Sequence, residues 1–156
     1  MEADRVYNFN PGPATLPLEV LKEAQAEFLN FDHSGMSILE ISHRAKQYDA
    51  VHQKAKADIK ELMGLGDDYE VLFCQGGASQ QFAEIPLNLL PEDGIADYID
   101  TGIWSQKSIE EARRFGNVNV AASAKPYDYF AIPGQNDWKL SSNAAYLHYC
   151  SNETIG

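Results

Sequence analysis

From Tyr69 to Cys150 the chain alternates between two periodicities, and this alternation limits its folds more than any other feature. The runs "YEVLFC", "IADYID", "NVNVAA" and "AAYLHYC" are short and β-like, and stretches between them carry apolar residues three and four apart. Strand–helix–strand–helix–strand order makes an α/β layer around a mostly parallel sheet. The pattern predicts strands over 69–74, 95–100, 117–122 and 144–150 and helices over 79–90 and 104–115. Pro86 is expected to kink or shorten the first of these helices, and Gly116 to cap the second. Asp93-Gly94 reads as a turn. Residues 125–140, with Pro126, Pro133 and Gly134, read as loop or irregular hairpin. Crossovers between parallel strands are expected to be right-handed, with helices covering the sheet.

The N-terminal part has a different grammar. Residues 1–16 form an arm, 17–66 a helical segment, and 67–156 the α/β part. Pro17 suits a helix start, and Val20, Leu21, Ala24, Phe28 and Leu29 share one face of a helix over 18–31. Gly35 breaks the pattern, and residues 37–44 read as turn or loop. A second amphipathic helix over 45–63 ends at Gly64 and Gly66.

Composition narrows the function classes. A chain of 156 residues with 44% apolar residues is long enough for a hydrophobic core. No stretch approaches the ~20 apolar residues of a membrane-spanning helix. The acidic start "MEADRVYNF" lacks the apolar segment of a secretory signal, so the expected location is the cytoplasm. A net charge of -11 argues against general nucleic-acid binding or an anionic membrane surface, but a local pocket can still take a small anion. Cys74 and Cys150 end apolar runs and read as buried thiols. Neither has the CxxC spacing of a zinc or dithiol site, and no metal is expected.

Ligands of open parallel sheets sit beyond the C-terminal strand ends, here 75–79, 101–104 and 151–154. In "VLFCQGGASQQF" a glycine turn leads into a helix. The amides of Ala78 and Ser79 and the Ser79 hydroxyl are placed to hold a phosphate, or else the turn is a plain one with Ser79 as N-cap. The lysine of GxxxxGK[ST] and the spacing of GxGxxG are both missing, which argues against nucleotides and dinucleotides. Trp104 either lies on an aromatic ligand or packs helix on sheet. Asn152, Glu153 and Thr154 either form a turn or reach a ligand. Arg44, beside His43, either grips a carboxylate or phosphate or makes a surface ion pair. His33, His52 and His148 have no metal-ligand spacing and are given no role.

The segments "YNFNPGPATLP", "EISHR", "VLFCQGGASQQFAEIPLNLL", "ADYIDTGIWS" and "YLHYCSNETIG" occur in this order. Together they resemble the N-terminal part of the phosphoserine aminotransferase family, within the fold type I pyridoxal-phosphate aminotransferases. The resemblance spans residues 7–156. It implies pyridoxal 5'-phosphate as cofactor, with Ala78 and Ser79 at its phosphate, Trp104 stacked on its ring and Thr154 on the ring-hydroxyl side. It implies Arg44 and His43 at the substrate anion, with Asn10 lining the same site. Some relatives have glycines and an arginine where this chain has Ala78, Ser79 and Gln80.

The resemblance further implies transfer of an amino group from glutamate to phosphohydroxypyruvate, giving phosphoserine and 2-oxoglutarate in serine biosynthesis. A phosphorylated hydroxythreonine of pyridoxine biosynthesis is a substrate in some members, and the full-length enzyme is expected to be a homodimer. Family members are more than twice as long, and none of the eight lysines here lies in the motif of the Schiff-base lysine. This chain by itself is therefore expected to be inactive, and poorly soluble or partly unfolded, because its sheet would keep an open edge. The alternatives are a non-catalytic fragment, a small-phosphate binding module, or a different fold type I enzyme such as a cysteine desulfurase-like lyase.

Overall fold

The computed structural model describes residues 5–153 and divides into two compact units, Met1–Cys74 and Gln75–Gly156. In the first, Asn8 ties the N-terminal loop together. Its amide donates to Thr15 Oγ1 (2.9 Å), its carbonyl accepts from the Thr15 amide (3.0 Å), and its Nδ2 donates to the Pro13 carbonyl (3.2 Å). Helix α1 (Leu18–Glu27) starts directly after Pro17, whose φ of -54° is already helical. It stops short of residue 31, and a separate 3-10 turn follows at Phe31–His33.

Within the expected loop at 37–44, Ile38–Glu40 forms a 3-10 turn closed by a capping box. The Ser37 hydroxyl accepts from the Leu39 amide (3.3 Å) and Glu40 Oε2 from the Ser37 amide (2.9 Å). Helix α2 (Lys46–Met63) ends at Gly64, whose φ of 63° lets the chain turn back onto the carbonyls of Lys60 and Glu61.

The expected strand at 69–74 does not form. β-like side chains favour a pleated surface, but a strand exists only where a neighbour supplies ladder hydrogen bonds, and no described strand pairs with this segment. Leu72, Phe73 and Cys74 are exposed, so the reading of Cys74 as a buried thiol fails with the strand that was to bury it.

The second unit holds the sheet. Strands β1 (Ile95–Asp100), β2 (Asn117–Ser123) and β3 (Ala144–His148) run parallel in the order β2-β1-β3. Helix α3 (Ala78–Leu89) precedes β1, and helix α4 (Ile103–Ala112) crosses from β1 to β2. Pro86 does not break α3. It lies in the last turn, where only the Phe82 carbonyl loses an amide partner, and the helix runs on to Leu89.

Central β1 is covered on both faces. Ala96 and Tyr98 pack with Ile109 and Ala112 of α4 to form the core, joined by Leu90, Val118 and Tyr146. On the opposite face Asp97 is buried, and the chain from Lys139 to Ser141 meets it there. Asp97 accepts the Ser141 amide (2.7 Å) and hydroxyl (2.8 Å) and Asn119 Nδ2 (2.8 Å). A carboxylate with three donors can be buried in a strand that its sequence alone makes look half polar.

Candidate active site

The end of β1 and the chain after β3 meet at the start of α4. The N-cap of α4 is Gly102, which has no side chain to accept the first helical amides, and no acidic residue lies in the first turn. Two other residues supply the cap. Ser105 turns its hydroxyl back to accept the amides of Thr101 (2.8 Å) and Gly102 (2.9 Å). Glu153, about fifty residues further on, accepts the amides of Trp104 (2.8 Å) and Ser105 (2.9 Å), with the Thr101 hydroxyl 3.4 Å away. A Cβ on Gly102 would lie 2.7 Å from Glu153 Cδ, so glycine here makes room for the carboxylate. Trp104 is thereby fixed by its backbone, half buried, with Lys107 Nζ 4.3 Å from its ring centroid.

Helix α3 is the contrasting case. It too starts from a glycine, Gly77, with no side-chain cap and no acidic residue in its first turn. Ala78 and Ser79 are its first two residues, and both are exposed. Ser79 is inside the helix rather than at its N-cap, and its hydroxyl has no partner among the described residues. The alternative of a plain turn with Ser79 as N-cap thus does not hold, because Gly77 already takes that place. Gly76 has a φ of 77°, the left-handed turn that glycine permits. The Gln80 amide group donates forward along the helix to Glu84 Oε1 (2.6 Å), and its side chain lies against Gly76, where a Cβ would collide with it.

Asp100, at the end of β1, gathers Ser123 Oγ (2.7 Å), Tyr129 Oη (3.2 Å) and Gln106 Nε2 (3.4 Å), and so ties three segments to one strand end. Beside it opens a cleft of about 740 Å³ lined by Ile99, Thr101, Tyr129, Trp138, Tyr149 and Glu153 among others. Tyr129 and Trp138 carry no role in the sequence reading, because they lie in the polar stretch read as loop. Cys150 lines the same cleft, only partly buried, and burial followed by the nearby Glu153 carboxylate pushes its thiol pKa up.

His148 sits between Tyr98 (ring centroids 4.7 Å) and Phe82 (6.2 Å), its Nδ1 buried without a partner among the described residues. Burial holds its pKa below the usual histidine value. Tyr98 and Tyr146 share a hydrogen bond between their hydroxyls (2.9 Å), and burial raises both above the usual tyrosine value.

The residues expected at a substrate anion belong to the first unit. The Asn10 amide donates to Asn8 Oδ1 (3.1 Å), and its side chain is exposed. His43 and Arg44 are exposed just before α2. The Arg44 amide donates to Ser42 Oγ (3.2 Å), and its guanidinium makes no ion pair among the described residues, so the surface ion-pair reading does not hold. Thr154 lies outside the described residues. Among the described residues no cluster of His, Cys, Asp and Glu could hold a metal, and no helix is long and apolar enough to cross a membrane.

Within the parallel α/β unit, one helix start is capped by a distant carboxylate and the other has no side-chain cap. The chain belongs to the class-V aminotransferases, whose family model matches residues 6–156. Its relatives are narrower than the class. A phosphoserine aminotransferase of Stutzerimonas stutzeri is 70% identical over 152 residues, and that of Azotobacter vinelandii (strain DJ / ATCC BAA-1303) is 67% identical over 152. Each match covers 97% of this chain and 42% of the relative.

Two solved structures share the fold. The phosphoserine aminotransferase from Bacillus circulans subsp. alkalophilus has a TM-score of 0.92 at 52% identity, over 98% of this chain and 42% of that one. A PLP-bound phosphoserine aminotransferase from Trichomonas vaginalis has a TM-score of 0.86 at 40% identity, over 96% and 42%. The chain thus spans less than half the length of these relatives.

Proposed function

We propose that the chain is the cofactor-holding part of a phosphoserine aminotransferase, acting within a longer protein. The observation that carries this reading is the start of α3. It has a glycine turn, exposed Ala78 and Ser79, a Ser79 hydroxyl without a partner among the described residues and no capping carboxylate, while neighbouring α4 has its Trp104 and Ser105 amides capped by Glu153. Free helix-start amides and the positive end of the helix dipole fit a phosphate.

In this reading Ala78 and Ser79 hold the phosphate of pyridoxal 5'-phosphate, Trp104 lies against its ring, and Thr154 bonds on the ring-hydroxyl side. Bound there, the cofactor supplies the electron sink that labilises bonds at an amino acid's α-carbon. Arg44, with His43 and Asn10, takes the anionic group of the substrate; a guanidinium without a carboxylate partner among the described residues is available for that.

The proposed reaction is amino transfer from glutamate to phosphohydroxypyruvate, giving phosphoserine and 2-oxoglutarate in serine biosynthesis. A phosphorylated hydroxythreonine of pyridoxine biosynthesis is a second substrate. The full-length protein acts as a cytoplasmic homodimer. The names of the relatives and the family match support the reading.

The test compares pyridoxal phosphate with pyridoxal, which lacks the phosphate, in binding titrations on the full-length protein and its Ser79→Ala variant. Wild type is expected to prefer the phosphate form, and the variant to lose affinity for that form alone, by roughly tenfold. Equal binding of both by wild type, or no formation of 2-oxoglutarate from glutamate and phosphohydroxypyruvate, would overturn the reading.

A further inference from the structure

We propose that Glu153 is a positioning residue that locks Trp104 to the end of β1 and to the chain after β3, so that the ring contact of Trp104 is held in place for the cofactor. The inference rests on the reading of Trp104 as a ring contact, and adds a residue to which that reading gives no role. Its basis is the double acceptance by one carboxylate of the Trp104 and Ser105 amides, at 2.8 and 2.9 Å.

Three features make this more than an ordinary helix cap. First, the cap comes from a residue 49 positions away from Trp104, not from the helix's own N-cap. A local Ser, Thr or Asp at position 102 would satisfy the same amides. The glycine instead gives up its side chain so that Glu153 fits against it, with a Cβ there 2.7 Å from Glu153 Cδ. Second, Glu153 immediately precedes Thr154 in the chain. Fixing the Glu153 carboxylate on the Trp104 amide ties the chain after β3 to the start of α4. Third, the same carboxylate lies 3.4 Å from the Thr101 hydroxyl, at the end of central β1. The start of α4, with Trp104, is thus referenced to the most buried strand of the sheet. A ring held by stacking on one side and hydrogen bonding on another needs such a reference, because misplacement by about 1 Å is costly at a reacting centre.

The test uses the full-length protein with Glu153→Ala, which removes both acceptors, and Glu153→Gln, which keeps the shape and one accepting oxygen. Two probes separate the ends of the site: pyridoxal phosphate, followed by its visible circular dichroism at saturation, and inorganic phosphate as its competitor. The expected result is pyridoxal phosphate binding weakened roughly tenfold in Glu153→Ala and by less in Glu153→Gln, with the dichroic band reduced even at saturation. Phosphate affinity is expected to be unchanged, because α3 does not rely on Glu153.

Wild-type dichroism and affinity in both variants would overturn the proposal. So would an equal loss of pyridoxal phosphate and inorganic phosphate binding, which would mark general loosening. If Glu153→Ala does not fold, the isosteric Glu153→Gln decides alone. A wild-type protein that binds no pyridoxal phosphate would instead overturn the proposed function, and this inference with it.

Discussion

At Gly102 the absence of a side chain is itself a structural element, because the Glu153 carboxylate fills the space. Gly102→Ala should push that carboxylate off the Trp104 and Ser105 amides and leave part of the α4 start unpaired. The expected loss is about 2 kcal/mol, the scale of a charge-assisted hydrogen bond, read as a lower urea midpoint. The sequence held a signal for this, since "TGIWS" offers no acceptor at the N-cap, but not the location of the replacement fifty residues on. His148 was less legible still. Nothing in "AYLHYC" says that its ring lies between Tyr98 and Phe82, the only rings that face it among the described residues. Burial lowers its folded pKa below 6.5, so the unfolded chain binds the proton first as pH falls. The stabilisation is complete above the unfolded value and is lost as pH drops from there through the folded pKa. His148→Phe should flatten the fall in thermal midpoint between about pH 7 and about pH 5, where carboxylates titrate little. An unchanged slope would refute this account of the ring. The thiols divide likewise: Cys74 should react with a disulfide reagent at once and Cys150 lag, with Cys74→Ser removing the fast phase.

Elements were legible where their signals were local. Pro17 started α1, Gly64 ended α2, and the three sheet strands fell within two residues of their expected bounds. The failure at 69–74 was of another kind: apolar β-branched and aromatic side chains describe a willing strand, whereas pairing is decided by residues elsewhere. The alternative of Ser79 as N-cap failed for a related reason, since any of Gly77, Ala78 or Ser79 could open the helix and only the backbone shows that Gly77 does. The two glycines after α2 make a test of how finely the termination can be read. Gly64 has a φ of 63°, where an L side chain is strained, while Gly66 has no such φ and its nearest neighbour is the flexible Asp68 carboxylate. Gly64→Ala should cost about 1 kcal/mol and Gly66→Ala less than about 0.5, both from denaturant melts. Equal costs would mean that the sequence reading of both as helix terminators was the better one.

Over the whole chain two opposing quantities set behaviour in solution. Large apolar side chains stand exposed in adjacent groups: Val6, Tyr7 and Phe9 in the N-terminal loop, Leu72 and Phe73 where a strand was expected, Phe130 and Ile132 near the cleft. Patches of this kind drive association when they meet. Against them stands a net charge of -11, which repels like chains over about a Debye length. That length is about 10 Å at 0.1 M salt and about 3 Å at 1 M, so the balance is set by ionic strength. The 156-residue chain should sediment as small species in dilute buffer and associate increasingly as salt rises from about 0.05 M to about 0.5 M. Association driven by ion pairs would do the opposite and dissolve in salt. Phe130→Ser with Ile132→Ser should weaken the salt-driven association more than Leu140→Ser, which stands exposed between the polar Lys139 and Ser141, because two neighbouring side chains form a patch and one does not. Sedimentation velocity across the salt series measures both effects. Loss of association with salt, or equal effects of the two substitutions, would show that charge or another surface governs the contact between chains.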